Sequence, residues 1–270
     1  MSVVRSYPLI AFFVLAYALS WWTTPLYVAG VPPFFPDLPF LGTGPLLASL
    51  LVTSIASGRA GLRELGARMI RWRVGWRWYA AALGIPFGVA VVTMALGGPI
   101  TALAQLPPFE TLLFVFALRL INPLDGPLAE EPGWRGFALP RLQGAGRSPL
   151  WATLILALLV TAWHLPDVLV TQRLPPLGLL GAFAVTFWYT WLFNHTGGSV
   201  FMTLVMHAAE GTFGLAVASV FEGADFARAF SIYVAVTCVV AVGLVVLDRK
   251  AWQAAAETDA AGSTNRRRSR

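Results

Sequence analysis

Long, continuously apolar stretches follow one another through almost the whole of this 270-residue chain, and very little charge interrupts them. Hydrophobic residues make up 57% of it and charged residues 12%. A helix needs roughly 20 apolar residues to cross a bilayer, and about eight stretches meet that length, near 8–29, 39–57, 78–97, 110–135, 149–170, 176–194, 199–220 and 227–247. None shows the period-two alternation of a membrane β-barrel strand. The expected fold is therefore all-α: a polytopic helical membrane protein with about eight transmembrane helices. One domain over residues 1–248 accounts for it, because no hydrophilic stretch is long enough for a second and no internal repeat is evident.

Basic residues give the expected orientation. With the N-terminus in the cytoplasm and eight crossings, Arg5, the cluster Arg59, Arg63, Arg68, Arg71, Arg73 and Arg77, then Arg135, Arg141 and Arg147, and finally Arg249, Lys250 and the C-terminal arginines all fall inside. Only Arg173 and Arg228 fall outside, and Arg119 is embedded. That asymmetry places both termini in the cytoplasm of a bacterial-type plasma membrane. The net charge of +6 reads as orientation and lipid contact rather than nucleic-acid binding. Residues 59–77 mix arginines with Leu, Met, Ile and Trp, as an amphipathic helix on the membrane surface does. Residues 249–270 read as a basic, disordered tail. The first apolar segment lacks a small-residue cleavage site and reads as a retained span. Cys238, without a partner for a disulfide, reads as packing.

Ionisable groups at membrane depth are costly and usually functional. Glu130 and Glu131 stand together in Gly126-Pro-Leu-Ala-Glu-Glu-Pro-Gly-Trp-Arg-Gly136, and His164 and His207 lie inside apolar stretches. Gly144-Ala-Gly146 followed by Ser148-Pro149 reads as a helical hairpin turn with an N-cap. Fourteen residues separate Glu130 from Gly144 and fifteen separate Pro149 from His164. At about 1.5 Å per residue both groups lie about 21–23 Å from the turn, at one depth. A second turn, Asn194-His-Thr-Gly-Gly-Ser199, puts His207 about two helical turns into the next span. The three groups are expected to meet in a cavity entered from the cytoplasmic side. There a carboxylate beside a histidine can deprotonate water, and a second histidine can donate to an oxyanion. Glu131 and Arg135, one turn apart, are expected to pair. The same types suit zinc held by Glu130, His164 and His207, although no His-Glu-x-x-His motif sharpens that reading. His195, in a turn, is expected to be uninvolved, Asp167 to be interfacial, and the role of Arg119 stays open.

At these residues the chain resembles the CPBP family of intramembrane proteases, which includes CAAX prenyl-proteases and bacteriocin-processing or self-immunity proteins. Glu130-Glu131-Pro-Gly-Trp-Arg135 matches the family's Glu-Glu-x-x-x-Arg. Thr161-Ala-Trp-His164-Leu-Pro166 resembles the second element, with Val160 where Phe is common. Trp191-Leu-Phe-Asn-His-Thr-Gly-Gly-Ser199 and Met206-His207-Ala-Ala209 resemble the third. The likeness covers about residues 110–215. It implies peptide-bond hydrolysis by water activated between Glu130 and His164, with His207 aiding the oxyanion and Glu131 and Arg135 supporting the site. Gly211 stands where the family usually has Asn or Asp. That removes an oxyanion donor, a kind of group whose loss costs about 2.7–4 kcal/mol elsewhere.

The reading is an intramembrane endopeptidase, glutamate- or zinc-dependent. Its expected partners are a peptide or membrane-protein substrate and the lipid bilayer, without nucleic acid and with no cofactor required in the favoured form. The alternative is a non-catalytic immunity or scaffold protein on the same fold, which Gly211 favours. A transporter ranks third, because inverted repeats are not evident.

Overall fold

A computed structural model describes residues 2–31, 40–99, 104–124 and 126–253. Asp125 and the segment 254–270, most of the expected tail, lie outside the described residues. The helices, in chain order, are α1 (Ser2–Ser6), α2 (Pro8–Trp21), α3 (Thr23–Val28), α4 (Gly44–Met69), α5 (Trp76–Gly97), α6 (Phe109–Ile121) and α7 (Pro127–Glu131). A π-helix over Pro132–Ala138 leads into α8 (Leu139–Gly144), followed by α9 (Pro149–Trp163), α10 (Leu165–Leu169) and α11 (Gly178–His195). Then come α12 (Val200–Val220), α13 (Gly223–Leu247) and α14 (Arg249–Gln253). No strand occurs among the described residues. The chain is an all-α polytopic membrane protein.

Six of the described helical segments are long and apolar enough to cross a bilayer: Pro8–Val28, Gly44–Met69, Trp76–Gly97, Pro149–Leu169, Val200–Val220 and Gly223–Leu247. Two expected spans depart from this for physical reasons. The stretch 110–135 is not one helix: α6 ends at Ile121, and α7 starts with Pro127, after Gly126 at φ 71°. The other, α11, has 18 residues and buries more than half of them, so only part of its surface needs to suit lipid. The expected surface helix over 59–77 is shorter. Gly58, at φ 60° and ψ −153°, kinks α4, the arginine-bearing part ends at Met69, and α5 begins at Trp76. The first residues of the expected tail form α14, whose Trp252 is buried near the Phe187 ring.

Both hairpin turns fall where their residues dictate. Ser148 and Ser199 are extended N-caps whose hydroxyls accept from Trp151 N and Met202 N, satisfying otherwise orphaned N–H groups. Gly146, Gly197 and Gly198 take the positive φ that these turns require.

Two features of the π-helix fix the site. Pro140 has no N–H to offer the Gly136 carbonyl, and its ring would crowd that oxygen in a regular helix. The wider turn relieves the crowding, and Arg68 Nη1 from α4 donates to Gly136 O at 3.4 Å. Gly133 and Gly136 let α4 approach: a Cβ at Gly133 would stand 2.6 Å from the Pro45 carbonyl oxygen, and one at Gly136 2.6 Å from Leu65 Cδ1. Small residues at such crossings allow tight helix packing in lipid. Gly133→Ala pushes on backbone that cannot yield cheaply and is expected to cost about 1–3 kcal/mol. Thermal unfolding in detergent measures this, and a melting temperature equal to wild type would refute the close-packing argument.

Candidate active site

Glu131 is the anchor of the site. It is fully buried, and its Oε1 accepts from Arg135 Nη1 at 3.0 Å and from His207 Nδ1 at 2.9 Å. The α7-to-π junction thus still presents positions 131 and 135 on one face, and the pair read from their spacing is formed. Arg135 is 1% exposed, and its Cζ lies 4.8 Å from the centre of the Tyr189 ring. The His207 ring stacks on the same tyrosine, centroids 5.0 Å apart. Three helical elements are locked here: α7 with the π-helix, α11 and α12. A carboxylate only accepts, so the Nδ1 of His207 carries the proton and its Nε2 is the second, distinct nitrogen.

His164 is set by the end of α9. Pro166 cannot continue the helix hydrogen bonds, and the backbone tightens so that His164 N–H turns to Thr161 O at 3.1 Å. The Val160 carbonyl, the usual partner of that N–H, accepts instead from His164 Nδ1 at 2.9 Å. This fixes the ring with Nε2 as the basic nitrogen of its neutral form. Trp163 braces it edge-on, with centroids 4.9 Å apart.

Glu130, Arg135, His164 and His207 all line one cavity of about 220 Å³. Tyr189, Thr186, Glu210 and Tyr233 complete its polar wall. Glu131 stands behind that wall and holds two of its members. Two roomier hollows, of about 300 and 480 Å³, are lined almost wholly by apolar side chains and include none of these groups. We take the smaller, polar one as the site because the ionisable groups converge there.

The lining of the cavity extends toward one end of the bundle. Leu174, Gly178 and Phe230 contribute to its lining. They sit near the starts of α11 and α13, at the end of the bundle opposite the 144–148 and 195–199 turns. Depth counting fixed which groups meet, but not the direction in which neighbouring helices diverge.

Other polar residues separate clearly. His195 lies outside the cavity, with Nδ1 bonded to Trp191 O at 2.9 Å and Nε2 to Asp248 Oδ2 at 2.8 Å, a clamp between α11 and the end of α13. Asp167 does not line the cavity; its N–H bonds His164 O. Glu210 and Tyr233 were not singled out by sequence as site residues. The available signal was the three-residue spacing of Glu210 from His207, which puts both on one helix face.

Zinc is left open by the residue types. Among the described residues no three His, Cys, Asp or Glu side chains form a group able to hold a metal ion. As arranged, the side chains do not fit a metal centre.

Comparison with curated proteins gives no significant match. Comparison with protein families matches residues 108–213 to the Rce1-like family, described as type II CAAX prenyl endopeptidase Rce1-like. The matched segment covers α6 through most of α12 and contains Glu130, Glu131, Arg135, His164 and His207. Over that segment the chain is similar to the type II CAAX prenyl endopeptidases of the Rce1-like family, in keeping with the resemblance of its Glu-Glu-x-x-x-Arg and histidine motifs.

Proposed function

We propose that this protein is an intramembrane endopeptidase in which Glu130 and His164 activate water against a peptide bond. The observation that carries the proposal is the convergence of Glu130, His164, Arg135 and His207 on one cavity within a CAAX-protease-related segment. Glu130, acting with the basic Nε2 of His164, takes a proton from water as its oxygen adds to the scissile carbonyl carbon. The imidazolium form of His207, its charge balanced by Glu131, donates from Nε2 to the resulting oxyanion. Collapse of the tetrahedral adduct breaks the C–N bond. The proton held by the Glu130–His164 pair passes to the leaving amine, so the site returns to its starting state. Arg135 holds Glu131, and Glu131 holds His207, so neither needs to reorient as charge develops.

The bilayer surrounds the site, and the substrate is a peptide or a membrane-protein segment. Arginine asymmetry puts both termini in the cytoplasm of a plasma-type membrane, which turns the Leu174–Gly178 end of the cavity to the outer side. The experiment is cleavage of a peptide library by the detergent-purified protein, with and without a chelator. The expected result is cleavage that survives chelation. Activity lost on chelation and restored by zinc would overturn the metal-free mechanism, and absence of cleavage by folded protein across the library would overturn the protease reading.

A further inference from the structure

A carboxylate stands where the reaction can least tolerate one. Glu210 follows His207 by three residues on α12 and shares the cavity wall with it. The Tyr233 hydroxyl donates to Glu210 Oε1, but among the described residues no cation lies within ion-pair distance of that carboxylate. Negative charge that builds beside His207 would be repelled by it, and the low dielectric of a membrane site strengthens the repulsion.

Arg119, half-buried on α6, is a further ionisable group, and two glycines admit it. A Cβ at Gly211 would overlap the Arg119 guanidinium, and a Cβ at Gly126 would stand 3.4 Å from its Nη2. The planar group lies directly against the backbone of the residue after Glu210. It is close enough to Tyr233 to interact with it electrostatically, and its buried Nε has no hydrogen-bond partner among the described residues. Any side chain at position 211 takes the same space.

We propose that Arg119, seated on Gly211, is a positioning residue that offsets Glu210 across the Tyr233 side of the wall and keeps the neighbourhood of His207 receptive to the oxyanion. The proposal rests on the protease reading. It gives Gly211 a purpose: the glycine is the seat of a cation rather than a lost donor.

The test is a mutant cycle with kcat, KM and melting temperature measured for each purified variant on a cleaved peptide. Arg119→Gln is expected to lower kcat about tenfold, within the usual range of coupling between neighbouring groups, while KM holds. Gly211→Ala is expected to reproduce that loss by displacing the guanidinium, and to add nothing to Arg119→Gln. Arg119→Lys keeps the charge and is expected to keep most of kcat. Adding Glu210→Gln to Arg119→Gln is expected to restore most of the lost rate, which a purely structural arginine would not allow. Additive losses in the two double variants, or an Arg119→Lys variant as slow as Arg119→Gln, would overturn the proposal while leaving an active wild type as a protease. A wild type that cleaves nothing would overturn the protease reading and this proposal with it.

Discussion

Glu130→Gln is expected to cut the cleavage rate by about 10²–10⁴-fold, the usual contribution of a positioned general base. The substitution keeps the size of the side chain and its capacity to hydrogen-bond, but the amide cannot take a proton from water. Glu130 is 7% exposed and lines the cavity together with His164. It stands in the short α7 that Pro127 starts and the π-helix continues, so backbone held from both sides fixes its place. Melting temperature is expected to stay near that of wild type, because glutamine keeps the shape of the side chain and leaves the Glu131–His207 bond between α7 and α12 untouched. Initial rates on one cleaved peptide decide the matter. A Glu130→Gln variant within about twofold of wild type would remove Glu130 from the chemistry and leave His164 as the only base on that side, a difference far below the effect expected of a general base.

Much of this site is legible in the sequence because its rules are local. Four-residue spacing predicts the Glu131–Arg135 pair, and serine caps with positive-φ glycines predict both turns that bring α9 and α12 back to the π-helix. Counting residues from the turns puts Glu130 and His164 at one depth. What could not be read is set by contacts between distant segments. The π-helix answers Pro140 together with an arginine 68 residues away in α4. The seat of Arg119 on Gly211 joins α6 to α12, and nothing in either segment alone announces it. The same holds for Tyr189, a single residue of α11 on which both Arg135 and His207 rest. Its local sequence does not distinguish it from the other aromatic residues of apolar spans, and only the packing of three helices sets it apart.

Glu131→Ala is expected to be the most destabilising single change at the site. Its Oε1 holds a guanidinium that is 1% exposed and an imidazole that is 13% exposed. Truncation leaves Arg135 buried without the carboxylate it pairs with. Breaking one side of a buried pair costs about 3–5 kcal/mol, because the remaining charge keeps its desolvation penalty without its compensation. Unfolding by denaturant or heat in detergent measures the loss, and peptide cleavage is expected to vanish with it as His207 loses the group that aims Nε2. Stability and chemistry separate in the double variant Glu131→Gln with Arg135→Met, which removes both charges at similar volume. It is expected to recover most of the stability, since replacing a buried pair by neutral groups is often close to neutral. Activity should stay low, because a neutral amide at position 131 accepts from His207 Nδ1 more weakly than the carboxylate does and aims Nε2 less firmly. If the double variant instead cleaves at the wild-type rate, the Glu131–His207 bond serves the fold alone and the oxyanion must be met by another group.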